Sequence, residues 1–194
     1  MNAAQALPME GSSWNRGRVG MACLIFGEST FFSIFVVAYL FYLGKSLTGP
    51  HPQDVLEFPL VATVCLLSSS LTVVWGVRAL AAGRRLQAGL GLALTVGLGG
   101  AFIGATALEW SRLIFQEGLA IDTNLFGTTF YSLVGFHAAH VILGLLMLSG
   151  IGVGVAAGKV TAEHAERVEI VSWYWHFVDA VWLVVLTTVY VVGV

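Results

Sequence analysis

Charge is what this chain has least of. Only 10% of its 194 residues are Asp, Glu, Lys or Arg, whereas a soluble domain usually carries about 25%. The net charge of -2 lacks the basic excess that a nucleic-acid surface needs, so no nucleic-acid partner is expected. Cysteine is scarce as well. Cys23 and Cys65 each sit in an apolar run, no Cys-x-x-Cys motif occurs, and no disulfide is expected between them. A cleaved leader is not expected either. Residues 1 to 17 are mostly polar or small, and the first apolar run far exceeds a signal core. Strand-like alternation is missing from the apolar runs, which excludes a transmembrane barrel. Internal repeats and low-complexity tracts are not evident.

What is present is hydrophobicity. Of the residues, 57% are apolar, and the mean hydropathy is +0.85. A membrane-spanning helix needs about 20 apolar residues. Runs of that length cover about residues 19–43, 58–82, 86–108, 126–157 and 168–194. The expected fold is therefore all-α: a single transmembrane domain of five helices over residues 18–194, behind a polar segment 1–17. Pro59 falls in the first turn of the second span, where its missing N–H does no harm. The fourth run is longer than a bilayer requires, so tilting or projection is expected.

The basic residues fix an orientation. Arg16, Arg18, Arg78, Arg84, Arg85, Lys159 and Arg167 fall on one side of the expected bundle, and only Lys45 and Arg112 on the other. The positive-inside rule then puts the N-terminus in the cytoplasm and the C-terminus outside.

Five ionisable residues lie inside the spans: Glu28, His137, His140, His176 and Asp179. At 1.5 Å per residue, Glu28 and Asp179 lie about 15–16 Å and His176 about 12 Å from the inner face, and His137 about 16 Å and His140 about 20 Å from the outer face. His137 and His140 share one helix face, as do His176 and Asp179, so the five are expected to converge on one region. An isolated carboxylate at a helix centre costs about 2.5–3.5 kcal/mol, so these must be paired, hydrogen-bonded or protonated. Three readings remain: a polar network tying helices together, a proton-handling or lipid-headgroup role for Glu28, and a metal site. Paired Glu-x-x-His helices and His-Glu-x-x-His are both absent, which argues against metal. Glu109, next to Trp110, is expected at the membrane interface.

Aromatics crowd the last span. Trp173 and Tyr174 fall near its interface, Trp175 and Trp182 deeper, and packing is the expected role of all four. Gly100 with Gly104, and Gly150 with Gly154, have the spacing of close helix contacts. Gly152, Gly154 and Ala157 match the loose dinucleotide fingerprint, but without a preceding strand that match is rejected.

These stretches resemble subunit III of the haem–copper terminal oxidases. The segment Trp173 to Trp182 is similar to the family's Trp-Tyr-Trp-His-Phe-Val-Asp-x-Val-Trp. Gly127-Thr-Thr-Phe130 and Gly135-Phe-His-Ala-Ala-His-Val141 resemble its preceding helix. Gly27-Glu-Ser-Thr-Phe-Phe32 resembles the setting of its buried glutamate, Glu57-Phe-Pro-Leu60 its proline site, and Asp122 an acidic position before the fourth span. The resemblance covers residues 17 to 194. It implies a short, five-helix bacterial form, without the two-helix arm that holds lipid in the longer form. It further implies a non-redox subunit of a cytochrome c oxidase in the bacterial inner membrane. No cofactor is expected in this chain; haem and copper belong to partner subunits. Subunit I is the main contact, with subunit II and membrane lipids as further partners. The implied role is to stabilise subunit I and support its proton uptake during oxygen reduction. The family also allows a ubiquinol oxidase subunit or a nitric-oxide-reductase accessory protein. A membrane metalloenzyme or a proton channel is the alternative from outside it.

Overall fold

The computed structural model describes residues 16–194; nearly all of the polar segment 1–17 lies outside the described residues. Every regular element among the described residues is helical. In order they are α1 (Arg16–Tyr42), the short α2 (Pro52–Val55), α3 (Leu60–Ala81), α4 (Arg85–Phe115), α5 (Leu125–Ala156) and α6 (Ala165–Leu186). A 3-10 turn, Ala162–His164, leads into α6, and a π-helical turn, Thr187–Val192, follows it. With that leading turn counted into the last, five of these helices are long and apolar enough to cross a membrane.

Helix ends follow local chemistry. Pro59 stands at the cap of α3 rather than inside its first turn, and its lack of an N–H is harmless at either position. Asn124 caps α5 by accepting from the Gly127 N–H at 2.8 Å, the usual work of an Asn N-cap. At the other end of α5, Arg85 reaches across from α4. Its Nε donates to the Val155 carbonyl at 2.7 Å and its Nη2 to the Ala156 carbonyl. Both carbonyls lie in the last turn, beyond the reach of regular i+4 helix bonds, and the Val155 carbonyl also accepts the Gly158 N–H at 3.0 Å.

α4 runs past the span expected for it, to Phe115 rather than Leu108. The extra turns carry Glu109 and Arg112, and both are partnered. Tyr190 donates its hydroxyl to Glu109 Oε1 at 3.1 Å. Arg112 donates to the Val55 carbonyl at 2.7 Å and lies 3.3 Å from Glu117 and 3.6 Å from Glu57. Composition alone could not show that these charges would be satisfied within the protein.

α6 packs against α1, α3 and α5, whereas α4 packs against α3 and α5. α6 is thus the central helix, and half of its apolar window is buried, against 6% for α1. α3 and α4 form a tight antiparallel pair. They meet at Gly76 and Gly91, where a Cβ on Gly91 would fall 2.6 Å from the Gly76 Cα. Close approach therefore uses glycines other than those picked out by spacing. A Cβ added to Gly100, Gly104 or Gly150 would meet nothing within 4 Å, and one on Gly154 would meet Val160 in the following turn. Cys23 is exposed on α1 and Cys65 half-buried on α3, both as free thiols.

Candidate functional site

The WYWHFVD segment of α6 faces three ways, because successive residues turn by about 100° in a helix of 3.6 residues per turn. Trp175 points into the centre and is fully buried. Its indole lies between two glycines: a Cβ on Gly144 of α5 would fall 2.7 Å from its Cε3, and one on Gly99 of α4 2.8 Å from its Cη2. Its Nε1–H donates to Ser69 Oγ at 2.9 Å. Two helical turns further, Trp182 donates to Thr63 Oγ1 at 3.1 Å. Both tryptophans thereby tie α6 to α3. Tyr174 is buried, and its hydroxyl donates to the His140 carbonyl at 3.3 Å. Trp173 is half-buried beside a groove between α3 and α6.

The five ionisable residues occupy three separate settings. On α1, Glu28 meets His140 of α5, with Oε2 and Nε2 3.2 Å apart. The other ring nitrogen, Nδ1, lies 2.8 Å from the Phe136 carbonyl. A carbonyl only accepts, so Nδ1 carries a hydrogen. The Glu28–His140 contact then holds one proton, either on an imidazolium that donates to a carboxylate or on a carboxyl that donates to a neutral ring. Phe32 and Phe136 pack against the His140 ring at 5.0 and 4.6 Å.

His137 is one turn away but sits in an apolar cage. It is fully buried, stacked on Trp182 at 5.1 Å with Phe102 at 5.8 Å, and neither ring nitrogen has a hydrogen-bond partner.

The third setting joins α6 to α3. Ser70 Oγ lies 2.9 Å from His176 Nδ1 and within hydrogen-bond reach of Asp179 Oδ2. Asp179 is 4% exposed, and its Oδ1 has no partner. His176 is half-buried and lines a groove of about 360 Å³, together with Arg78, Glu169 and Trp173. Ser70 did not stand out in the sequence, where it is one of three consecutive serines. The polar groups are therefore not one cluster: Glu28 with His140, and His176 with Asp179, bind different helices. Among the described residues no three His, Cys, Asp or Glu side chains converge on a common metal position.

Five apolar helices, a tryptophan-centred core and buried polar contacts at the helix interfaces define a polytopic membrane protein. A family model for cytochrome c oxidase subunit III matches residues 15–194. Among curated relatives, cytochrome c oxidase subunit 3 of Triticum aestivum is 34% identical over 183 residues, 89% of this chain and 67% of its own length. The protein of the same name from Bacillus sp. (strain PS3) is 32% identical over 177 residues, 90% of this chain and 85% of its own. The one from Polypterus ornatipinnis is 38% identical over 143 residues, 74% of this chain. The matched region spans only about half of that last relative, 53%. The chain belongs to the cytochrome c oxidase subunit III family.

Proposed function

We propose that this chain is the non-redox third subunit of a bacterial respiratory haem–copper oxidase, which reduces oxygen to water and moves protons. The observation that carries this reading is the family match over residues 15–194. In that complex the chain stabilises subunit I and supports its proton uptake; subunit II and membrane lipids are further neighbours. Haem and copper reside in the partners, and cytochrome c is the electron donor. Residues 18–194 work as one transmembrane domain in the bacterial inner membrane. Its Arg16, Arg18, Arg84 and Arg85 end faces the cytoplasm, in line with the positive-inside rule.

In this reading Glu28, His137, His140, His176 and Asp179 serve proton balance and helix association, and Trp173, Tyr174, Trp175 and Trp182 serve packing. The proton held between Glu28 and His140 supports a proton-linked role for that pair. Purification of the native complex tests the proposal. The expected result is co-purification with a haem-bearing subunit, seen as haem bands in the optical spectrum. Isolation of the native chain without any haem-bearing partner would overturn it.

A further inference from the structure

We propose that Ser70, His176 and Asp179 form a proton-holding relay at the floor of the groove between α3 and α6. The groove is lined by Val74, Val77 and Arg78 of α3 and by Glu169, Trp173 and His176 of α6. Its charged groups are Arg78 and Glu169, and from α1 Arg18 approaches Glu169 to 3.9 Å. His176 joins this groove to the buried carboxyl of Asp179. Its Nδ1 is engaged with Ser70, which leaves Nε2 as the nitrogen for water in the groove.

The serine hydroxyl has one hydrogen and two neighbours, so the chain has two self-consistent polarities. In the first, His176 Nδ1–H donates to Ser70 Oγ, and Oγ–H donates to the Asp179 carboxylate. In the second, the carboxyl O–H donates to Oγ, and Oγ–H donates to an unprotonated Nδ1. Passage between them breaks Nδ1–H and Oγ–H and forms a new Oγ–H and an Oδ2–H. An imidazolium and a carboxylate thereby become a neutral ring and a neutral carboxyl, with one proton moved. A proton taken from water at Nε2 is stored at Asp179. Burial favours the neutral pair, since a charge inside a membrane is costly, and the partnerless Oδ1 raises the cost of holding charge on Asp179. The relay stands on its own geometry; only its use by an oxidase partner rests on the proposed function.

Infrared difference spectra of the intact membrane complex, recorded between acid and alkaline pH, test the relay. A protonated-carboxyl band is expected in the native protein, absent in Asp179→Asn. The same band should move in Ser70→Ala, together with the His176 ring modes, and return in Ser70→Thr, which restores a hydroxyl. If Asp179→Asn fails to assemble, ¹³C-aspartate labelling of the native protein, compared with labelled Ser70→Ala, gives the same reading. The relay is overturned if no aspartate carboxyl band appears, or if Ser70→Ala leaves both the carboxyl and imidazole bands in place. Bands as expected with unchanged proton uptake and turnover in Ser70→Ala would uphold the relay and instead remove its link to the oxidase.

Discussion

Glu28 Oε2 and His140 Nε2 lie 3.2 Å apart across the α1–α5 interface, and His140 Nδ1 is fixed as a donor by the Phe136 carbonyl. Glutamine at position 28 can donate its amide N–H to a neutral His140 ring, so it preserves the contact while removing the exchangeable proton. Hydrogen bonds between helices in membranes are worth about 0.6 kcal/mol on average. Glu28→Gln is therefore expected to assemble like the native chain, with proton uptake or turnover stability reduced. Glu28→Ala should add an assembly defect. Poor assembly of Glu28→Gln with normal turnover per complex would show that the pair acts only in packing. Subunit yield and proton release per turnover are the measurements.

Trp175 fills space that only glycine leaves open. A methyl group at Gly144 would lie 2.7 Å from the indole, and one at Gly99 2.7 Å from Leu145 and 2.8 Å from the indole. Overpacking of this kind costs about 1–3 kcal/mol. Gly144→Ala and Gly99→Ala should each lower the thermal stability of the purified complex by that order. Gly100→Ala, with nothing within 4 Å, is the control. It should be neutral or slightly stabilising, because alanine is the better helix former by up to about 1 kcal/mol. Equal melting temperatures for all three variants would contradict this packing.

Position along each helix was legible in the sequence, and direction around it was not. Span length, charge spacing and hydropathy located the helices and put Glu28, His137, His140, His176 and Asp179 inside them. The rotation of each helix depends on side-chain shapes across interfaces, which no single segment records. His137 and His140 are three residues apart and so about 60° apart around α5. That angle turns one toward Trp182 and the other toward Glu28. Ser70 was hidden for the same reason, since only the packing of α6 on α3 gives Ser69 to Trp175 and Ser70 to His176 and Asp179. The Gly99–Trp175–Gly144 arrangement depends on three helices at once. Spacing within one helix picked Gly100 and Gly104 instead, and these face outward.

The orientation proposed from the basic residues has its own test. Single cysteines placed in the Gly83–Arg84 turn and at Lys159 should be labelled by a membrane-impermeant thiol reagent only after cells are opened. Positions in the loops 49–51 and 118–122 should be labelled in whole cells with a permeable outer envelope. The background carries Cys23→Ser and Cys65→Ser. The reverse pattern would invert the topology and leave the helix packing untouched.

Arg85 closes the end of α5 from outside it. Its Nε and Nη2 satisfy the Val155 and Ala156 carbonyls, and its guanidinium packs against Gly158, which takes a left-handed φ of 73°. A cation at a helix C-terminus contributes about 0.3–1 kcal/mol, and the planar fork adds a two-carbonyl geometry that an ammonium cannot copy. Arg85→Gln should therefore speed hydrogen exchange in the closing turn around Gly154 to Lys159, where the Lys159 N–H bonds the Gly154 carbonyl at 2.9 Å. Arg85→Lys should fall between it and the native protein, because it keeps the charge and loses the fork. Native exchange rates in both variants would show that the turn holds itself closed. Faster exchange in Arg85→Gln alone would assign the effect to charge, and equal acceleration in both would assign it to the fork.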